Sequence, residues 1–224
     1  QEQGRFVKNY FKEHIGWRLF PIMLNNLQPD VLSDSPVYLV VNMHSADKQI
    51  SDKIAIIPVP EKPLSRFLEL PGDSDGKYII LLDDVIRYCL DDIFSVFGYT
   101  EFKAYAVKFT RDGELDIDND VKKSFMERMS DSLRQRDVSP AVRFTYDSRM
   151  PEKMLIQILQ KLAVTKRDSV IPGGRIQNFR DFMKFPNLGL ADHEFKPAPP
   201  LSLAGFQKNE SILKGLLEND MLLH

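Results

Sequence analysis

The densest set of possible metal ligands lies between residues 112 and 120, where five acidic side chains occupy alternate positions. Hard cations such as Ca²⁺ prefer several carboxylate oxygens, so this spacing raises the hypothesis of a calcium-binding loop. Counting from Asp112, however, the sixth position requires glycine and is Ile117, and the twelfth requires glutamate and is Lys123. A solvated acidic turn ahead of a helix explains the segment better, and no metal site is predicted.

The histidines offer a second kind of chemistry, because an imidazole can accept a phosphoryl group or bind a metal. The four are His14, His44, His193 and His224, in different segments. Their spacing fits no metal pair, and no serine or cysteine nucleophile motif lies nearby. A histidine can act alone as a phosphoryl acceptor, but nothing in these surroundings distinguishes one of them. No catalytic residue is predicted.

A glycine-containing basic loop, Pro172–Arg175, precedes a predicted short helix that carries Arg180 and Lys184. Asn178 is predicted to cap this helix, with Asp181 in its first turn. Backbone N–H groups at a helix start, together with nearby cations, can hold phosphate. The lysine and serine or threonine of a Walker loop are absent. The loop is therefore interpreted either as a phosphate contact or as simple turn geometry.

The segment Lys77–Asp118 is predicted to form the centre of the fold. Tyr78–Leu82 is a short apolar run, and Ala104–Phe109 is the next strand candidate. A helix capped by Asp83 or Asp84 and ended by Gly98 would connect them as a strand–helix–strand unit. Its apolar face comprises Val85, Ile86, Cys89, Ile93 and Phe94.

The rest of the chain supplies further elements. Strands are predicted at 37–41, 54–57, 67–70 and 142–146, and helices at 119–136, from Pro151 onward, and at 179–184. Short connections favour antiparallel pairing of the early strands. The predicted fold class is α+β, with a mixed, mainly antiparallel sheet and covering helices. The predicted domains are a helical connector at 1–20, an α+β domain at 21–190, and an extended connection with a short helix at 191–224.

Composition limits the classes of function. The 224 residues are 43% hydrophobic, enough to bury a core, and the net charge of −2 argues against a free-standing nucleic-acid binder. Cys89 is the one cysteine, which excludes an intrachain disulfide and a cysteine-cluster metal site and is consistent with a reducing compartment. No apolar run approaches the roughly 18 residues of a membrane span.

Four segments resemble the middle, or head, domain of bacterial polyphosphate kinase. They are KYIILLDDVIRYCLDDIF from Lys77, TRDGELDID at Thr110–Asp118, AVRFTYD at Ala141–Asp147 and PGGRIQNFRDFMKFPN at Pro172–Asn187. The resemblance covers nearly the whole chain in the family's order. Ile176-Gln177 departs from the tyrosine-histidine usual in the family, so this position does not require a histidine.

The resemblance implies one domain of a four-domain cytoplasmic enzyme that can associate peripherally with the inner membrane. The family enzyme reversibly transfers the terminal phosphate of ATP to polyphosphate through a phosphohistidine, using Mg²⁺. Its ATP-base contacts and its histidine lie in other domains, so no catalytic residue and no cofactor is assigned to this chain. The resemblance further implies an α+β fold, a part in a homodimer and a place beside a tunnel for the polymer.

Two hypotheses of function remain open. In the first, the chain is a non-catalytic dimerisation scaffold that contacts other domains of its own polypeptide. In the second, it is a regulatory module that binds polyphosphate through Arg175, Arg180, Lys184 and Arg111. The second requires Arg175, Arg180 and Lys184 to cluster with Arg111 or Arg143 on one concave surface, whereas the first has them scattered or paired with acids. An autonomous kinase would need a nucleotide loop and a nucleophile, neither of which is found.

Overall fold

The computed structural model describes residues 2–28, 32, 37–47, 49–72, 76–111, 141–164, 170–189, 195–196 and 198–199. The chain divides into two compact units, Gln1–Pro186 and Asn187–His224, and the elements below belong to the first. The acidic run at 112–120, the helix predicted at 119–136 and the helix predicted near the end of the chain lie outside the described residues.

Among the residues that the structure describes, the main sheet has six strands and a second sheet has two. In chain order the strands are β1 (Ile22–Met23), β2 (Tyr38–His44), β3 (Lys53–Pro58), β4 (Phe67–Leu70), β5 (Tyr78–Leu81), β6 (Glu101–Arg111), β7 (Ala141–Asp147) and β8 (Val170–Gly173). The main sheet has the order β1-β3-β2-β6-β7-β8, and β4 pairs with β5 separately. All pairs are antiparallel except β7 and β8, which are parallel. The predicted α+β class with a mainly antiparallel sheet is confirmed.

Helices cover both faces of the main sheet. They are α1 (Glu2–Tyr10), which continues as a π-helical turn (Phe11–Ile15) and a 3-10 turn (Gly16–Arg18), α2 (Leu82–Tyr88), α3 (Leu90–Phe94) and α4 (Glu152–Lys161). Further 3-10 turns span Leu24–Asn26, Ser95–Phe97 and Phe179–Lys184. The single helix predicted between Asp83 and Gly98 is thus divided at Cys89, and Gly98 ends the segment with the left-handed backbone that a glycine adopts without strain.

Two hydrophobic clusters lie on opposite faces of β2. Because side chains alternate along a strand, Leu39 and Val41 pack on one face while Tyr38 and Val40 pack on the other. The first face is covered by the N-terminal helix and by α2 and α3, and the second is covered by α4. The continuous apolar run in β2 follows from this burial on both sides. The predicted division of the chain at residue 20 stays a prediction, although Val7, Phe11 and Ile15 pack into the first cluster.

The predicted strand–helix–strand unit between residues 78 and 109 is wrong, because β5 and β6 belong to different sheets. β6 pairs with β2 along one edge and with β7 along the other, which leaves no edge for β5. β5 instead forms an antiparallel pair with β4. The parallel unit lies later in the chain, where α4 connects β7 to β8.

Candidate functional site

Arg66, whose side chain is 10% exposed, joins three separate segments. Its Nε and Nη2 atoms donate to the two oxygens of Asp83, over 3.1 and 2.8 Å. Its Nη1 atom donates to the Asn178 carbonyl, over 3.4 Å, and to Asp181. The start of β4, helix α2 and the 3-10 helix Phe179–Lys184 are therefore held together by one side chain. Because Asp83 is fully buried, this pairing compensates the burial of its charge.

The cap predicted at Asp83 or Asp84 is wrong, whereas Asn178 occupies the predicted N-cap position, with Asp181 in the first turn, but makes no side-chain cap hydrogen bond. α2 begins at Leu82 without a side-chain cap, because Asp83 points inward to Arg66. Asn178 precedes the 3-10 helix in the left-handed region, at φ 60°, but its side-chain oxygen accepts a 2.7 Å hydrogen bond from Lys108 Nζ. Burial lowers the pKa of Lys108, and the nearby charge of Arg180 lowers it further.

The residues predicted to contact phosphate occupy different surroundings. Arg175 donates to both oxygens of Asp84, at 3.0 Å for Nη1 to Oδ2, so an acid partly neutralises its charge. Arg180 and Lys184 are exposed on the 3-10 helix. Arg111 ends β6, and its side chain lies outside the described residues. Their contact with phosphate stays a prediction.

A cluster of alternating charges lies where α2 meets the C-terminal ends of β7 and β8. Asp84 accepts from Arg175 and, over 2.7 Å, from Nη1 of Arg87. Asp147 is fully buried, and both of its oxygens accept from Arg149, at 2.9 Å from Nε and 2.6 Å from Nη2. Burial pushes the pKa of Asp147 upward, but the hydrogen bonds and charge of Arg149, with the charge of Arg87, hold it below its usual range.

We call the set Arg87, Arg149 and Arg175, with Asp84 and Asp147, the arginine cluster. Sequence analysis missed Arg87, whose signal was the three-residue spacing from Asp84 that places both side chains on one face of a helix. The glycine loop before Arg175 is fixed by a buried amide, because Gln177 donates to the Gly174 carbonyl over 2.7 Å.

Aromatic side chains form an exposed surface on the 3-10 helix. Phe182 and Phe185 each pack edge-on against Phe67 of β4, with ring centroids 5.2 Å apart. Phe179 stacks on Phe182 but is 71% exposed, and Met183 is 85% exposed. We call Phe179, Phe182, Met183 and Phe185 the aromatic surface. Its sequence signal was the three-residue spacing of phenylalanines, which a 3-10 helix aligns on one side.

Comparison with known proteins decides the family. The family model described as the polyphosphate kinase middle domain matches residues 2–185. The chain belongs to the polyphosphate kinase family. The predicted resemblance is thereby confirmed, and the matched region contains both the arginine cluster and the aromatic surface of this middle domain.

Relatives of this polyphosphate kinase middle domain are much longer than the chain. It is 42% identical over 228 residues to the polyphosphate kinase of Vibrio cholerae, covering 99% of this chain and 32% of that protein. Identity to the Escherichia coli K12 polyphosphate kinase is 37%, over 99% of this chain and 33% of that protein. The crystal structure of polyphosphate kinase from Porphyromonas gingivalis superimposes with a TM-score of 0.70 at 24% identity, over 96% of this chain and 30% of that one. That likeness supports the fold alone.

The described part of this middle domain does not provide a metal site. Within it, no group of three or more histidine, cysteine, aspartate or glutamate side chains is arranged to hold an ion. The donor set for Mg²⁺ is therefore not found among these residues, and we derive no step through a metal or ATP. Within the same residues, no helix is long and apolar enough to cross a membrane.

Proposed function

We propose that this middle domain is a structural part of an enzyme that reversibly transfers the terminal phosphate of ATP to polyphosphate through a phosphohistidine. The proposal rests on family membership and on length, because the chain spans about a third, 32%, of the Vibrio cholerae relative. In this proposal, ATP, Mg²⁺ and the phosphorylated histidine are held by the other domains. The middle domain positions those domains, contributes to a dimer and lines the path of the polymer.

The single observation that supports a positioning role is the aromatic surface. Large apolar side chains that are exposed together usually mark an interaction surface. Here Met183 is 85% exposed and Phe179 is 71% exposed, on a helix that Arg66 ties to the domain through Asp181. A surface on a fixed element is suited to binding another folded unit. We propose another domain of the same polypeptide as its partner.

A second candidate function is direct contact with polyphosphate by Arg175, Arg180, Lys184 and Arg111. The exposure of Arg180 and Lys184 is compatible with this proposal. The pairing of Arg175 with Asp84 is the arrangement expected for a scaffold instead. We therefore favour the structural role.

A chimeric enzyme tests the proposed function. The corresponding third of the Vibrio cholerae polyphosphate kinase is replaced by this chain, and polyphosphate synthesis from ATP is measured. Phe179→Ser with Met183→Ser should lower kcat/KM by about tenfold or more, because misplaced catalytic groups are costly. The matched control is Val96→Ser, since Val96 is 82% exposed on a different 3-10 turn.

The control separates docking from general loss of apolar surface. Val96→Ser should leave kcat/KM within about twofold, as expected for a surface position away from an interface. Equal activity of the double variant and the control would contradict the docking role. An inactive chimera that carries the unaltered chain would contradict the proposal that this domain can serve in such an enzyme.

A further inference from the structure

The arginine cluster contains hydrogen-bond donors without acceptors. The side chain of Arg87 is 13% exposed, and its Nη1 atom donates to Asp84. In the described part of the chain, its Nε and Nη2 atoms are buried and have no hydrogen-bond partner. Buried donors without a partner are unfavourable, so such atoms call for an acceptor.

The two atoms form the edge of the guanidinium that binds oxyanions in parallel. In this domain Arg66 presents Nε and Nη2 to Asp83, and Arg149 presents Nε and Nη2 to Asp147. The planar fork of arginine matches two oxygens of a carboxylate or a phosphate. Arg87 carries the same fork, buried, without a carboxylate against it.

The acids of the cluster are already used by other donors. Both oxygens of Asp84 accept from Arg175, and both oxygens of Asp147 accept from Arg149. Three arginines therefore face two carboxylates, which leaves one positive charge in excess. An acceptor that binds Arg87 is electrostatically favoured when it is an anion.

The position in the fold also suits a ligand. Asp147 and Gly173 are register partners at the C-terminal ends of the parallel strands β7 and β8, where α/β units commonly bind ligands. A side chain added at Gly174 would meet no heavy atom within 4 Å, so the backbone there is open to approach. Arg149 and Arg175 are 61% and 43% exposed, so they can move to admit an anion to the enclosed edge of Arg87.

We propose that Arg87, supported by Arg149 and Arg175, binds a phosphate group at this edge of the sheet. The ligand is orthophosphate or one unit of a polyphosphate chain, which share the same tetrahedral oxyanion. Phosphate is favoured over a carboxylate because this is a middle domain of the polyphosphate kinase family. The site goes beyond the proposed docking role and does not use the aromatic surface.

Calorimetric titration of the 224-residue chain tests the site. Orthophosphate is added up to about 10 mM, which covers millimolar dissociation constants, and polyphosphate of defined length is titrated separately. Arg87→Lys keeps the charge but removes the bidentate edge, and it should raise the Kd by about tenfold for the ligand that occupies the site. Arg5→Lys is the matched control, because Arg5 is an exposed arginine of α1 whose substitution should leave the Kd unchanged.

The two ligands distinguish the sources of phosphate. Weakening of both by Arg87→Lys supports a site for the phosphate group itself, and weakening of polyphosphate alone supports a site that requires a chain. No binding of either ligand to the unaltered chain would overturn the proposal. Equal weakening by Arg87→Lys and Arg5→Lys would overturn it as well, because it would indicate non-specific charge attraction.

A crystal structure of the unaltered chain soaked in phosphate provides a measurement that does not depend on the folding of a variant. A tetrahedral anion should lie about 2.9 Å from Nε and Nη2 of Arg87. A single water molecule bridging these atoms, with no anion, would overturn the proposal. Arg87 would then be a structural residue satisfied by buried solvent.

Discussion

Asp83 and Asp147 are both fully buried, and each is held by the Nε and Nη2 edge of one arginine. The partners differ, because the side chain of Arg66 is 10% exposed whereas that of Arg149 is 61% exposed. Removing Arg66 would leave the buried charge of Asp83 uncompensated, at a cost of about 3–5 kcal/mol. At the residue scale, these bidentate pairs fix where α2 and the strand ends meet.

The lowered pKa of Asp147 predicts a loss of stability in acid. Because the pKa of Asp147 is lower in the folded state than in the unfolded state, its stabilisation is complete above about pH 4 and is lost as the pH falls through the folded-state pKa. Asp147→Asn should cost about 1–2 kcal/mol at neutral pH. Urea unfolding over a pH series should show this difference shrinking toward acid pH. A difference independent of pH would contradict the assignment.

At the element scale, the strands were the most predictable part of the fold. The apolar runs at β2, β3, β4 and β7 are short and bounded by turn residues, so local pattern was sufficient to locate them. Pairing was not predictable in the same way, because it depends on which sheet edge is free. β5 satisfies every local criterion of the predicted strand–helix–strand unit, yet both edges of β6 are occupied by β2 and β7.

Two isoleucines of the α2–α3 segment, which sequence periodicity places on one helix face, differ in how deeply they are buried. Ile86 is fully buried, whereas Ile93 is partly buried at the edge of the same cluster. The break at Cys89 rotates α3 relative to a continuous helix, which sequence periodicity does not anticipate. Burial also raises the pKa of Cys89 to about 12, which is consistent with its packing in the core.

This difference predicts unequal effects of two matched substitutions. Ile86→Asp should lower the free energy of unfolding by more than about 4 kcal/mol, because it places an unpaired carboxylate in the core. Ile93→Asp should cost less, since part of its side chain reaches solvent. The same reasoning applies to Ile80 of β5, which is also partly buried. Circular dichroism during urea unfolding measures the free energy of unfolding of each variant. Equal losses of this free energy for Ile86→Asp and Ile93→Asp would contradict the break at Cys89.

At the scale of the whole molecule, the candidate sites were only partly predictable. The loop at Arg175 was located from its two glycines, and the helix at Phe179–Lys184 was located from Asn178 and Asp181. The partners of these residues were not, because Asp84 is 91 positions from Arg175 and Asp181 is 115 positions from Arg66. Contacts over such separations are set by how β4, α2 and β8 converge, which no local pattern encodes.

Because the proposed function assigns catalysis to other domains and a structural role to this one, we predict that the 224-residue chain folds cooperatively but makes no polyphosphate from ATP. Two hydrophobic clusters on either side of one sheet provide the core that cooperative unfolding requires. The phosphoryl carrier is proposed to lie in the two thirds of the relatives' length that the chain does not cover. His44, a described histidine, is exposed at the end of β2, where its Nδ1 atom lies 2.6 Å from Oδ1 of Asp52. It belongs to a different element from the residues of the arginine cluster. The purified chain and the full-length Vibrio cholerae enzyme are assayed in separate, parallel reactions, each with ATP and Mg²⁺. Polymer made by the chain alone would contradict the structural role.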